Sequence, residues 1–211
     1  LEDRLMPAGQ ILVEGGVVAA VSDADGSDLP LAGHYIVPGL VDVHVHGVQG
    51  IDTLDGGDAI ERIAAHLPRY GVTAFCPTSI ACPPGQLREM LRGLAATAAQ
   101  PAAAAARVLP AHLESNFISA AYKGAQPLEC IRAPHEPANG RFSGQEILDE
   151  IEAAHRSVGI VTLAPEVAGV LELIPALVRR GHRVSIGHTG ASYDQARAAI
   201  EAGARHATHL F

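Results

Sequence analysis

The stretch VDVHVHG, residues 41–47, closes an almost wholly apolar run that begins at Tyr35. Continuous apolarity is typical of a strand buried on both faces, as in a parallel sheet covered by helices. Residues two apart in a strand share a face at a separation of about 6.6 Å, so His44 and His46 should point the same way. Two such imidazoles can converge on one divalent ion, and a pair of ordinary hydrogen-bonded histidines is the alternative.

Five further apolar runs follow along the chain and alternate with helical patterns. They are GVTAFCPTS, RVLPAHLES, GIVTLAPE, RVSIGHT and HATHLF. Polar residues gather at the strand ends, and no Gly-x-Gly-x-x-Gly follows the first run. These features favour the α/β fold of a TIM-type (β/α)8 barrel over a doubly wound sheet. Six strands are two short of closure, so we expect the remaining two beyond Phe211.

Between the runs, apolar residues recur at helical spacing. Two stripes of this kind are Ile60, Ile63, Ala64, Leu67 and Leu87, Met90, Leu91, Leu94. Ser192 followed by Gln195 predicts a capping box, with the helix ending near Gly203. A further helix is expected from about Gly144 to His155. The stretch LELIPALVRRG should supply another, with Pro175 near its first turn.

The N-terminal stretch GQILVEGGVVAAVSDADG, residues 9–26, has a different pattern. Two short β-type runs are separated by Gly15 and Gly16, which predicts a hairpin. We interpret this segment as a small β appendage to the main domain.

Composition narrows the class of protein. The 211 residues are 48% hydrophobic, which suits one sizeable domain with a buried core. No apolar stretch reaches the roughly 18 residues of a membrane span and no signal-peptide pattern is visible, so the cytoplasm is the expected location. The net charge of −8 is scattered, which argues against nucleic acid and for small-molecule partners. Cys76, Cys82 and Cys130 lack the C-x-x-C spacing and are expected to be buried free thiols.

Further ligand-type side chains stand at the ends of the predicted strands. Glu114 closes the third strand, and an ionised carboxylate there needs a partner, which could be a metal, a helix N-terminus or an Arg. His112 lies on the same face and is expected to be a packed or hydrogen-bonded histidine rather than a ligand. His188 ends the fifth strand and His209 lies in the sixth, whereas His206 has the opposite parity to His209 and should face away. Neutral imidazole together with carboxylate suits zinc and similar ions.

Several motifs together resemble the N-acetylglucosamine-6-phosphate deacetylase family of the amidohydrolase superfamily. The motifs are VPGLVDVHVHG, GVTAFCPTS, HLES, KGAQP, TLAPE, SIGHT and ATHLF. The resemblance implies that residues 1–35 are part of a small β-sandwich domain and that residues 36–211 are an incomplete metal-dependent hydrolase barrel. It also implies deacetylation of N-acetylglucosamine 6-phosphate to glucosamine 6-phosphate and acetate, with a sugar phosphate as the partner and a homodimer as the assembly.

The same resemblance assigns roles to residues of the site. Glu114 would be a shared metal ligand, His188 and His209 would complete one metal site, and His44 with His46 would serve a second. One or two zinc ions are therefore expected, with iron as the alternative. Two further residues, Ala125 and Gln126, match the position that contacts the sugar.

The sequence also departs from the family pattern. Ser115 and Asn116 stand where the family usually has Gly-Pro, which should alter the loop beside the metal and leaves the preferred N-acyl sugar open. The family's catalytic aspartate would lie beyond Phe211, so none of the 211 residues is assigned that role. We expect these residues alone to bind metal weakly and not to turn over. The alternatives are an amidohydrolase acting on a cyclic amide or another N-acyl amine, and a non-catalytic fragment that binds a metal or a sugar phosphate.

Overall fold

The computed structural model describes residues 9–22, 29, 31, 33–138 and 140–210. The chain divides into two compact units, one up to Pro38 and one from Gly39 onward. In the first unit, β1 (Gln10–Glu14) and β2 (Val17–Ser22) pair antiparallel across the glycine turn. Both turn glycines have positive φ, 58° and 79°, a conformation that glycine adopts without a Cβ clash. The predicted hairpin is confirmed.

The second unit is built on a parallel sheet of the six predicted strands, which curls into a half barrel. The neighbouring order in the sheet is β3 (Leu40–Val45), β6 (Val72–Ser79), β8 (Ala111–Glu114), β9 (Val158–Leu163), β10 (Arg183–Ile186) and β11 (His206–Ala207). Each strand thus lies beside the next apolar run of the sequence. Three short strands add to these six. β4 (Gly47–Val48) and β5 (Ile51–Asp52) form a small antiparallel pair, and β7 (Arg107–Val108) pairs with β6.

The third predicted strand is divided into two pieces. β7 pairs with β6 opposite Ala74 and Phe75, whereas β8 pairs with β6 opposite Thr78 and Ser79. Pro110 lies between the pieces and lacks the N–H that a continuous ladder would use. The break leaves β8 as a short strand that ends at Glu114.

Helices cover the sheet in the order that the periodicity predicts. They are α1 (Ala59–His66), α2 (Pro84–Ala99), α3 (Gly144–Ala153), α4 (Val170–Arg179) and α5 (Tyr193–Ala202), with 3-10 turns at Leu67–Tyr70, Ala120–Tyr122, Leu128–Cys130 and His155–Ser157. The capping box of Ser192 with Gln195 is confirmed, and α5 ends at Ala202 with Gly203 as its C-cap, near the predicted end. Among the described residues, no helix has the length and apolarity that a bilayer crossing requires.

The expectation for Pro175 is wrong. Helix α4 begins at Val170, after Gly169 in the left-handed conformation, so Pro175 lies in the second turn. A proline there cannot donate to the carbonyl of Leu171, four residues before it. The strongly apolar face of α4, which buries Ile174 and Leu177 in the core, keeps the helix continuous across that gap.

The two faces of the sheet differ in chemistry because side chains alternate along each strand. Leu113, Val161, Leu163 and Val184 pack with the helices in the hydrophobic core. The intervening positions are polar and buried: Thr78, His112, Glu114, Thr162 and Ser185. One face of the sheet therefore carries hydroxyl, imidazole and carboxylate groups toward the ends of the strands.

Candidate metal centre

The Glu114 carboxylate stands at the centre of the polar face. It is the last residue of β8, and its side chain is 2% exposed. Burial raises the pKa of this carboxyl, but hydrogen bonds with His46 and His188 outweigh that effect, and the pKa lies well below its usual range. Glu114 is therefore a buried, ionised carboxylate at neutral pH.

Four imidazoles surround this carboxylate through their Nε2 atoms. His209 and His188 lie 2.7 Å and 2.8 Å from Oε1, His46 lies 3.3 Å from Oε2, and His44 lies 3.6 Å from Oε1. Nε2 of His44 is also 3.1 Å from Nε2 of His46. The structure thus brings together all five side chains that the sequence predicts as ligands.

Backbone carbonyl groups fix the ring orientations of two of these histidines, on the side of the ring opposite Glu114. Nδ1 of His188 lies 3.0 Å from the carbonyl oxygen of Tyr122, and Nδ1 of His46 lies 3.2 Å from that of Thr78. A carbonyl oxygen only accepts, so each Nδ1 carries the proton. In its neutral form each ring then presents only a lone pair at Nε2.

Those lone pairs face an anion. Nε2 of His188 is at hydrogen-bond distance from an ionised oxygen of Glu114, and two acceptors at that distance repel unless a proton or a cation lies between them. The hydrogen bond with Glu114 raises the pKa of His46, whereas burial lowers the pKa of His44. The geometry therefore calls for positive charge, and a divalent ion meets that need with neutral rings. His44, Glu114 and His209 offer ligand atoms that all lie within 4.8 Å of one another.

His188 and His209 lie just beyond their strands rather than within them. Both have a left-handed backbone, with φ of 48° and 56°. This conformation is uncommon for residues other than glycine, and it clusters at functional sites. It also turns the chain, so the alternation of a strand no longer decides which way these side chains point.

The expectation that His206 faces away from the site is wrong. It assumed that His206 and His209 lie in one strand, but the left-handed backbone of His209 ends the alternation between them. Nδ1 of His206 lies 2.9 Å from Oγ of Ser185, and its ring lies 6.2 Å from that of His112. His112, in turn, is fully buried, with Nδ1 2.8 Å from the carbonyl oxygen of Val43 and Nε2 2.7 Å from Oγ1 of Thr162. Burial lowers the pKa of His112 to about 4. His112 thus lies in the hydrogen-bonded layer below the five ligand-type side chains, as expected.

Gln126, predicted to contact the sugar, lies against Glu114. Its amide oxygen accepts from the N–H of Ala81 at 2.7 Å, which orients the amide so that Nε2 donates to Oε2 of Glu114 at 2.5 Å. Gln126 is 3% exposed, whereas the neighbouring Ala125 is exposed. The two residues share a turn but occupy different environments.

Ser115 and Asn116 tie the loop after Glu114 to neighbouring segments. The Ser115 hydroxyl donates to the carbonyl of Thr162 at 2.5 Å. The Asn116 amide donates to the carbonyl oxygens of Cys82 and Cys130 at 2.8 Å and 2.7 Å. Side-chain hydrogen bonds therefore hold this loop.

Glu166 supports the site as well, although nothing in the motif TLAPE by itself predicts this. Its carboxylate accepts from the hydroxyl of Thr189 at 2.5 Å and from the N–H of Gly190 at 2.6 Å. On the other side, the N–H of Ser119 donates to the carbonyl of His188 at 3.0 Å. These bonds hold the turn in which His188 has its left-handed backbone.

Known proteins match this chain over nearly all of its length. It is 32% identical to the N-acetylglucosamine-6-phosphate deacetylase of Vibrio furnissii over 203 residues, which are 94% of this chain and 49% of that protein. It is 30% identical to the N-acetylgalactosamine-6-phosphate deacetylase of Escherichia coli O157:H7 over 211 residues, 100% of this chain and 54% of that protein. No family model matches the chain.

The fold agrees with the sequence comparison. The crystal structure of N-acetyl-D-glucosamine-6-phosphate deacetylase from Mycobacterium smegmatis superimposes with a TM-score of 0.77 at 32% identity, covering 96% of this chain and 51% of that one. The chain spans about half the length of the relatives that it matches. The resemblance that the motifs predicted is confirmed, and this chain is similar in both sequence and fold to the N-acetylglucosamine-6-phosphate deacetylases.

Proposed function

We propose that this chain is the metal-binding part of a hydrolase that deacetylates N-acetylglucosamine 6-phosphate, giving glucosamine 6-phosphate and acetate in amino-sugar catabolism. The observation that carries the proposal is the buried, ionised Glu114 with four imidazole Nε2 atoms within 3.6 Å. Relatives with 30–32% identity are named as deacetylases of 6-phosphorylated N-acetyl amino sugars, which supports the reaction class.

The donor set fits a divalent ion of the zinc type. We propose that Glu114, His188 and His209 hold one ion and that His44 and His46 serve a second, with Glu114 shared. Neutral imidazole and carboxylate are zinc ligands at about 2.0–2.2 Å, and iron is the alternative that the same donors accept. When bound, such an ion polarises the acetamide carbonyl and lowers the pKa of a water molecule to about 7.

The chain's own residues would hold that centre in place. The carbonyl oxygens of Tyr122 and Thr78 keep His188 and His46 in the tautomer that presents a lone pair at Nε2. Gln126 donates to one oxygen of Glu114 and so leaves the other oxygen facing His188 and His209. We propose that the exposed Ala125 and its neighbour Gln126 also contact the sugar.

A sugar phosphate is the proposed partner. A variant of the Mycobacterium smegmatis enzyme has been solved in complex with N-acetyl-D-glucosamine-6-phosphate. The Escherichia coli relative is named for the galactose epimer, so the gluco and galacto substrates form the first comparison to make. Ser115 and Asn116, which replace the usual Gly-Pro, lie beside Glu114, where they can alter this preference.

Further proposals concern organisation. We propose that residues 1–35 are part of a small β-sandwich domain and that residues 36–211 are part of the barrel, and the division of the structure at Pro38 and Gly39 supports this. A cytoplasmic homodimer is proposed from the family resemblance. Light scattering of the purified protein tests the dimer.

The activity is tested on the protein expressed from the complete reading frame that contains this sequence. Acetate release is measured with N-acetylglucosamine 6-phosphate and with its galacto epimer, and ring opening is measured with dihydroorotate, in each case after loading with zinc. Release from a phosphorylated N-acetyl sugar is expected. Hydrolysis of dihydroorotate alone would favour the cyclic-amide alternative, and an absence of bound ion would favour the non-catalytic one. The 211 residues alone are expected to bind the ion weakly and to release no acetate.

A further inference from the structure

A continuous chain of hydrogen bonds crosses the polar face of the sheet below Glu114. It begins at the carbonyl of Val43, to which Nδ1 of His112 lies 2.8 Å away, and passes from Nε2 of His112 to Oγ1 of Thr162 at 2.7 Å. It continues from Thr162 to Oγ1 of Thr208 at 2.9 Å and from Thr208 to Oγ of Ser185 at 2.6 Å.

This chain of hydrogen bonds ends at His206, whose Nδ1 lies 2.9 Å from Oγ of Ser185. It therefore links five strands or their immediate continuations, from β3 at one edge of the sheet to β11 at the other. Among the described residues, every buried side-chain nitrogen and oxygen has a partner, and this chain accounts for several of them.

Every proton in this chain has one allowed position. The Val43 carbonyl only accepts, so Nδ1 of His112 carries the proton and its Nε2, in the neutral ring, accepts from the Thr162 hydroxyl. Each hydroxyl has one proton to give, so Thr208 must donate to Thr162 and Ser185 must donate to Thr208. His206 must then donate from Nδ1 to Ser185.

The backbone also makes room for the chain. A Cβ on Gly187 would lie 2.8 Å from Cβ of Thr208 and 2.9 Å from Cγ2 of Thr162. A side chain at this position would therefore displace one of the two threonine side chains. The contact of Thr162 with Thr208 is thus built into the local sequence, and it is not an accident of side-chain rotation.

Residues of the hydrogen-bond chain are sequence neighbours of the proposed ligands or bond to such neighbours. Val43 precedes His44, Thr208 precedes His209, and the carbonyl of Thr162 accepts from Ser115, which follows Glu114. We infer that Thr162 is a positioning residue for the proposed metal centre, acting through His112 and Thr208 to hold His44, Glu114 and His209 in one constellation. This inference rests on the proposed function, because it takes the hydrogen-bond chain to position the ligands of the proposed metal ion.

The first test needs no metal. Long-range ¹H–¹⁵N spectra of the histidine rings in metal-free protein should show the Nδ1–H tautomer for both His112 and His206 at neutral pH. An Nε2–H tautomer for either ring would overturn the ordered chain, whatever the outcome of any metal measurement.

The second test compares zinc affinity, by calorimetry, in three variants. Thr162→Val is isosteric but cannot donate to His112, and it should weaken zinc binding by about tenfold to hundredfold. Thr162→Ser keeps the hydroxyl and should restore most of the affinity. Thr97→Val, which removes a hydroxyl bonded to the Gly93 carbonyl in α2, is the matched control and should leave zinc affinity unchanged.

The outcomes separate the two proposals. Unchanged affinity in Thr162→Val, or an equal loss in Thr162→Ser and Thr162→Val, would overturn the positioning role. A parent protein that binds no zinc would overturn the proposed metal centre. The tautomers of His112 and His206 would still test the ordered hydrogen-bond chain independently. If Thr162→Val fails to fold, Ser185→Ala breaks the same hydrogen-bond chain two residues further along, beyond Thr208, and it should show the same loss of affinity and a changed His206 ring signal.

Discussion

The backbone N–H of Gly190 donates a 2.6 Å hydrogen bond to Oε1 of Glu166. The other oxygen of this carboxylate accepts from Thr189, so one side chain holds both residues that follow His188. Glu166→Gln removes the negative charge that strengthens both bonds, and the Thr189 hydroxyl, which would then meet an amide NH2, can no longer donate to this side chain. We expect zinc affinity to fall about tenfold, because the Nε2 atom of His188 loses its fixed position. Calorimetric titration measures this.

The exposed Glu201→Gln on α5 is the control for that experiment, since it removes the same charge far from the turn. Equal affinities of the two variants would show that the Glu166 contacts do not matter to the centre.

Glu114→Gln should abolish zinc binding. The variant keeps the side-chain shape but removes the negative charge that the four imidazoles share. Elemental analysis after dialysis against trace zinc should find an ion in the parent protein and none in the variant. Glu150→Gln, a residue paired with Arg88 on the helical surface, is the matched control. Full occupancy in Glu114→Gln would contradict the proposed ligand set.

Gly187→Ala should lower the free energy of unfolding by about 1–3 kcal/mol, the usual cost of overpacking. The added methyl group would meet Thr162 and Thr208 at under 3 Å. Gly85→Ala, in the first turn of α2 with no atom within 4 Å of the new Cβ, should be neutral or stabilising by up to about 1 kcal/mol. Urea unfolding measures both. Equal stabilities would show that the sheet relaxes around Gly187.

Stability should depend on pH through His182. Burial lowers the pKa of this ring, whose Nδ1 lies 2.9 Å from the carbonyl of Val158. The unfolded chain therefore binds the proton more readily than the folded one, so the contribution is fully present above about pH 6.5 and is lost as the pH falls. In His182→Gln the melting temperature should change less between pH 7 and pH 5 than in the parent protein. An equal slope would exclude His182 as a cause.

The cysteines should react slowly in the folded protein. Burial raises the pKa of Cys76 to about 11 and that of Cys82 to about 12, and burial also raises the pKa of Cys130. All three are free and buried, so the reactive thiolate is scarce. At pH 8 a thiol reagent should label native protein slowly and label urea-unfolded protein at all three positions within the mixing time of a manual assay. Rapid labelling of native Cys82 would contradict its burial.

Local patterns of the sequence were sufficient to predict the main strands and helices of this fold. The glycine pair gives the hairpin, the apolar runs give the six strands, and Ser192 with Gln195 gives the start of α5. The break at Pro110 and the position of Pro175 were not predicted, because each depends on how a strand or helix packs rather than on its own periodicity.

The candidate site was likewise predicted only in part. The five ligand-type side chains were predicted because each stands at or just beyond the end of an apolar strand, and parallel strands end at one edge. The left-handed backbones of His188 and His209, and with them the orientation of His206, were not predicted, because they depend on hydrogen bonds between residues distant in sequence. The same holds for Glu166, whose partners Thr189 and Gly190 lie in the next strand-to-helix turn.

The rings of His44 and His209 have centroids 5.1 Å apart, although they come from the first and last strands in the order of the sheet. With Glu114 shared between the ion on His209 and the ion on His44, metal in this centre would act as a cross-link between the two borders of the half barrel. It would bind only after every intervening strand had docked, so metal uptake would report completed folding. At a free ion concentration of about one hundred times its dissociation constant, it would add about 2.7 kcal/mol to the native state.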